Sequence, residues 1–101
     1  MPKRVFLQTR DLMFRSKLRG VVTTAGGEVT RAAAEADFIV VELESERWED
    51  QVRDGVARGA PVLAFGSHVN VELLRAARAL GADAVPNSQV EARLSAALAP
   101  S

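Results

Sequence analysis

A carboxylate sits at the end of the most apolar stretch of this chain, Asp37-Phe38-Ile39-Val40-Val41-Glu42-Leu43. Glu42 is therefore the first place to look for chemistry, because ligands of open α/β sheets bind beyond the ends of strands. A second polar stretch, Gln8-Thr9-Arg10-Asp11, follows an apolar run at the N-terminus. A third, Gly66-Ser67-His68, comes before a helix and could cradle an anion with backbone N–H groups. One glycine is a thin signal for that, and neither a P-loop nor a Gly-x-Gly-x-x-Gly fingerprint occurs. His68 could serve as acid, base or phosphate contact. Without a partnered nucleophile it reads as plain surface.

Composition excludes several classes. There is no cysteine, so disulfides, thiolate catalysis and cysteine zinc sites are out. One histidine excludes a multi-histidine metal site. Lys+Arg and Asp+Glu are both 13, which gives no global reason to expect nucleic acid or an anionic membrane. No apolar run approaches the roughly 18 residues of a membrane span. Met1-Pro2-Lys3-Arg4 leads straight into a strand rather than a signal peptide, so the cytoplasm is the default. The 101 residues are expected to form one domain, 1–101, with a single core.

The elements that must position these residues follow from periodicity. Arg4 to Leu7 is a short apolar strand. Thr9 or Asp11 caps a helix from about Leu12 to Ala25, with Phe14, Leu18, Val21 and Ala25 as its stripe. Gly26-Gly27 stops it. Glu28 to Thr30 is a very short strand, and Arg31 to Glu35 is at most one helical turn. The organising strand, Phe38 to Leu43, lacks polar alternation and so should be covered on both faces. Ser45 caps a helix from Glu46 to Arg58, with Trp48, Val52 and Val56 facing the core and Glu49–Arg53 and Asp54–Arg58 as ion pairs. Pro61 opens the strand Val62 to Phe65. Asn70 caps a helix from Val71 to Leu80, buried through Leu73, Ala76, Ala77 and Leu80. Ala82 to Val85 is the last strand, Pro86-Asn87-Ser88 a turn, and Gln89 to Leu98 the closing helix.

Strands separated by helices predict an α/β domain with a parallel sheet and right-handed crossovers. Five strands suit the flavodoxin-like order 2-1-3-4-5, whose ligand edge lies beyond the first and third strands. At this point the chain resembles the response-regulator receiver domain over nearly its whole length. Asp37 to Leu43 is similar to the receiver's third strand, which ends in the phosphorylated aspartate. Pro61-Val62-Leu63-Ala64-Phe65 is similar to its fourth strand, and Gly81-Ala82-Asp83-Ala84 to the approach to its fifth.

The site residues depart from that family. Glu42 stands at the phosphoacceptor position. The acidic pair that holds magnesium falls near Thr9 and Arg10, with only Asp11 acidic nearby. The switch Ser/Thr falls on Gly66, with Ser67 one place later. The lysine falls on Asn87 or Ser88, and the link from the first strand to the third is short. The resemblance thus implies a receiver-like fold that has lost phosphorylation, with no metal and no cofactor. Glu42 is then either a fixed negative charge that mimics phosphorylation or a solvated carboxylate. Arg10 either pairs with Glu42, Asp11 or Glu44 in place of the metal or is a surface arginine.

Leu74, Arg75, Arg78 and Arg93 are placed on the outer face of the last two helices, a surface that receivers use for dimers and partners. The expected function is a non-enzymatic regulatory domain acting by contact with a protein partner or a second copy. The alternative is a small-molecule or nucleotide-binding domain that uses the loops at Gln8–Asp11, Glu42–Ser45 and Gly66–His68.

Overall fold

The computed structural model describes residues 2–99. Strand β1 is Arg4–Gln8, β2 Glu28–Thr30, β3 Phe38–Glu42, β4 Val62–Gly66 and β5 Asp83–Pro86. Helix α1 is Leu12–Thr24, α2 Trp48–Ala57, α3 Val71–Ala79 and α4 Val90–Leu98. Short 3-10 turns occupy Ala33–Glu35 and Asn87–Gln89. All strand pairs are parallel, in the order β2-β1-β3-β4-β5. This is the architecture that the strand–helix alternation predicts, with β3 at the centre. Among the described residues, no helix is long and apolar enough to cross a membrane.

Strand β3 is apolar on both faces because each face meets helices. Ile39 and Val41 pack with Trp48, Val52, Leu74 and Ala77 from α2 and α3. Phe38 and Val40 pack with Leu18, Val22, Val90 and Leu94 from α1 and α4. Helix α2 presses onto the first of these layers through Gly55. A Cβ there would lie 2.7 Å from Val62 Cγ2 and 2.8 Å from Ile39 Cδ1, so no larger residue fits without displacing the core.

Several local expectations are corrected. In α1 Leu18 and Val22 are fully buried and Phe14 and Val21 pack partly buried beside them, whereas Ala25 lies outside the helix and is exposed. Val56 is 40% exposed, because Gly55 takes the sheet-facing place. Asp54–Arg58 is not formed, since the Arg58 guanidinium donates to the carbonyls of Ala33 (2.7 Å) and Ala34 (3.2 Å). Glu49–Arg53 is formed, at 3.8 Å.

Helix α2 starts at Trp48, and Ser45 does not cap it. The loop before α2 turns through positive φ at Glu44 (71°) and Arg47 (58°), which separates Ser45 from the helix start. Asn70 makes no side-chain cap either.

Helix α3 carries the largest correction. Leu74 is 6% exposed and belongs to the core, while Ala76 is exposed. Ala77 is buried as expected, and Leu73 and Leu80 pack partly buried against the same layer, so the sheet-facing side is Leu73, Leu74, Ala77 and Leu80.

The link from β2 to β3, residues 31–37, must cross β1 to reach the far side. Parallel crossovers usually carry an α-helix. This one has only the Ala33–Glu35 turn, so no helix covers β1 and β2 on the α2 side of the sheet. Phe6 and Thr30 remain half-buried there.

Candidate functional site

The loops after β1 and β3 meet at the C-terminal edge of the sheet, and hydrogen bonds join them. Glu42 Oε1 accepts from the Thr9 hydroxyl (2.8 Å) and from the Arg10 backbone N–H (3.1 Å). Thr9 Oγ1 in turn accepts from the Asp11 backbone N–H (3.1 Å). Gln8 Nε2 donates to Ser45 Oγ (2.9 Å) and to the Glu46 carbonyl (2.8 Å). The Ser45 hydroxyl donates to the Glu42 carbonyl. Thr9 and Ser45 are only 8% and 5% exposed. The edge is thus a closed polar lattice in which Glu42 is the shared acceptor.

Asp11 is turned away from this lattice. Its Oδ1 accepts from the backbone N–H groups of Met13 (2.8 Å) and Phe14 (3.2 Å), so it is the α1 N-cap. That resolves the choice between Thr9 and Asp11 in favour of Asp11.

The expected Arg10 fork does not form. Its guanidinium donates to the Glu44 carbonyl (3.1 Å), and among the described residues it has no ion pair with a carboxylate. The backbone N–H of Arg10, not its charge, holds Glu42. Removing the Thr9 hydroxyl should therefore be costly. Thr9→Val should lower stability by about 1–2 kcal/mol in a urea melt, the scale of a hydrogen bond to a charged group that is partly solvated. Thr9→Ser should recover most of it. A Thr9→Val protein as stable as the parent would show the bond to be idle.

The other residues singled out do not join this lattice. Gly66 is buried at the end of β4, where a Cβ would meet Leu43 Cβ at 3.2 Å. Ser67 Oγ accepts from its own loop, from Val69 N–H at 3.4 Å. Asn87 and Ser88 are exposed in the 3-10 turn after β5. His68 is exposed, and Trp48 lies in the core.

On the expected interaction face, Leu74 is internal and two arginines are engaged with their own chain. Arg78 Nη2 donates to the Ala84 carbonyl (2.8 Å), and Arg93 Nη1 pairs with both oxygens of Asp83 (2.6 and 2.7 Å). Arg75 alone projects, with Glu72 at 3.7 Å.

The comparisons bear on the fold. No protein-family model matches the chain, and no curated protein matches it. Solved structures do. A response regulator of Chloroflexus aurantiacus J-10-fl superposes with a TM-score of 0.79 at 16% identity, covering 97% of this chain and 95% of that one. The receiver domain of a sensor histidine kinase from Pseudomonas aeruginosa PAO1 gives 0.77 at 15% identity, covering 97% and 95%. This is the receiver fold. The chain also matches NtrX from Brucella abortus (TM-score 0.73, 15% identity) over 97% of its own length, but it spans only 28% of that protein.

The Pseudomonas receiver was solved with a magnesium ion coordinated in its active-site cleft. The residues here do not fit such an ion. Glu42 is hydrogen-bonded, Asp11 caps α1, and Thr9 and Arg10 offer no carboxylate. Among the described residues, no group of three or more His, Asp or Glu could hold a metal.

Sequence reasoning missed the surface beside this edge. A groove of about 630 Å³ runs past the ends of β1 and β2 to the β3–α2 loop. Arg10, Arg15, Arg19, Arg31 and Arg47 all line it. One signal was available, since Arg15 and Arg19 are four residues apart and must share a face of α1.

Proposed function

We propose that this chain is a receiver-like regulatory domain that is not phosphorylated at the end of β3 and acts through protein contact. The observation that carries the reading is the hydrogen-bonded state of Glu42. Phosphoryl transfer is achieved mainly by positioning and by neutralising charge on the transferred group, commonly with a metal ion. Here the carboxylate oxygen facing the β1–α1 loop already accepts two hydrogen bonds. The loop that would supply metal ligands supplies a threonine and an arginine instead. Glu42 acts as a fixed negative charge that ties β1 to β3 without turnover.

Contact with a protein partner, or with a second copy, is supported by exposed apolar residues around this edge. Leu12 and Met13 open α1, and Val69 and Val71 flank the start of α3. Large apolar side chains left in water at a functional edge are a common mark of docking.

The test is direct. Incubation with magnesium and acetyl phosphate should add no phosphoryl mass, and beryllofluoride should leave the melting temperature where it was. A phosphoryl group mapped to Glu42, Asp11 or Glu44 would overturn the reading.

A further inference from the structure

The chain has eleven arginines. Among the described residues, five of them make ion pairs with carboxylates: Arg4, Arg47, Arg53, Arg75 and Arg93. The groove beside the β1 and β3 ends is lined by Arg10, Arg15, Arg19, Arg31 and Arg47. Only Arg47 belongs to both groups, through Asp50 at 3.2 Å. Arg10 and Arg15 donate to backbone carbonyls, which leaves their charge uncompensated. Arg19 and Arg31 have no side-chain hydrogen bond or ion pair among the described residues. Glu46 is the single carboxylate in the lining. A protein with zero formal net charge thus concentrates unpaired positive charge in one concavity.

The shape explains why the charge gathers there. The β2–β3 link crosses without a helix, so the sheet edge beside β2 stays open. Strand β2 ends opposite Phe6, and Leu7 and Gln8 run on past it. Helix α1 brings Arg15 and Arg19 from one side, and the β3–α2 loop brings Arg47 from the other. Phe6 and Val29 add apolar surface. The volume, about 630 Å³, falls within the range of small-molecule sites.

We propose that this groove binds a phosphate-bearing small molecule of nucleotide size. Guanidinium groups match phosphate with forked, charge-assisted hydrogen bonds. Four unpaired guanidiniums suit a ligand with more than one phosphate, and the half-buried Phe6 offers apolar surface to a base or similar ring. The ligand would bridge β1, α1 and the β3–α2 loop. The groove shares Gln8, Thr9, Arg10 and Ser45 with the Glu42 lattice but not Glu42 itself, so phosphate binding here and phosphorylation at Glu42 are tested separately.

The experiment uses the full chain, titrated calorimetrically at low salt with inorganic pyrophosphate, ADP, adenosine and a single-stranded oligonucleotide. Pyrophosphate and ADP should bind and raise the melting temperature, and binding should weaken as salt screens the charges. Adenosine should not bind. The double variant Arg19→Gln/Arg31→Gln removes no side-chain hydrogen bond or ion pair among the described residues, and its circular dichroism should match the parent. It should bind ADP about tenfold or more weakly, as expected when charge-assisted contacts are removed. Arg75→Gln, on α3, should bind as the parent does. No binding of pyrophosphate or ADP at millimolar concentration would overturn the proposal. Unchanged affinity in the double variant, or adenosine binding as well as ADP, would also do so. Oligonucleotide binding without ADP or pyrophosphate binding would assign the groove to nucleic acid instead.

Discussion

Leu74→Glu should abolish cooperative folding. Leu74 is 6% exposed and packs in the layer formed by α2, α3 and the sheet. Truncating a buried leucine costs about 2–5 kcal/mol. Glutamate adds the cost of placing a carboxyl group, charged or neutral, among apolar neighbours, which is on the order of another 1–3 kcal/mol without a partner. The sum is comparable with the whole stability of a domain, about 5–15 kcal/mol. The expected result is a loss of the sharp thermal transition and of near-native circular dichroism. Leu74→Met keeps volume and apolarity and should cost less than about 1.5 kcal/mol. A Leu74→Glu protein that melts like the parent would mean that this side chain faces solvent. The consequence for function is practical. Loss of partner binding in Leu74→Glu would report unfolding rather than docking. Arg75, whose side chain is 72% exposed, is the residue that probes the α3 surface.

Phe65→Ala should be the costliest truncation in the other layer. Phe65 is fully buried at the end of β4, and its ring meets Phe14 at 5.2 Å between centroids with a 48° tilt. It joins the central strands to α1 and α4. Removing a buried phenylalanine side chain costs about 3–5 kcal/mol through lost transfer energy and the cavity left behind. For a domain of this size, that is a fall of roughly 12 °C or more in melting temperature. Phe14→Ala should cost less, since Phe14 is only half-buried. A double-mutant cycle should return a coupling of about 0.5–1.5 kcal/mol for the ring pair. A Phe65→Ala denaturation midpoint within about 1 kcal/mol of the parent would show that the layer repacks, contrary to the fixed geometry seen here.

Both effects bear on the Glu42 edge. Leu43 N–H donates to the Phe65 carbonyl at 2.8 Å, so the start of the β3–α2 loop hangs from β4. The lattice of Gln8, Thr9, Arg10 and Ser45 is built on a sheet whose two packing layers are held by residues such as Leu74 and Phe65. Losing either layer loosens the edge, the groove beside it, and any regulatory contact made there.

The sequence by itself determined the strand order, because its pattern has few solutions. An apolar strand without alternation must be covered twice, and parallel strands joined by helices cross over with one hand. It also determined that Glu42 would stand at the C-terminal edge of the sheet, at the end of β3. Gly26, read as a helix stop, takes positive φ at 83°, and Gly59 and Gly81 follow the ends of α2 and α3 in the same region at 78° and 105°. Tertiary structure decided the rest. In α3, contact with the sheet placed Leu74 inside and left Ala76 exposed. Arg10 had three carboxylates within reach in sequence terms. The loop geometry gave its backbone N–H to Glu42 and its guanidinium to the Glu44 carbonyl. The arginine groove needed four separate segments brought together at an edge that a missing crossover helix leaves open. Arg31 and Arg47 lie far along the chain from Arg10, Arg15 and Arg19, and periodicity reports only on neighbours a few positions away.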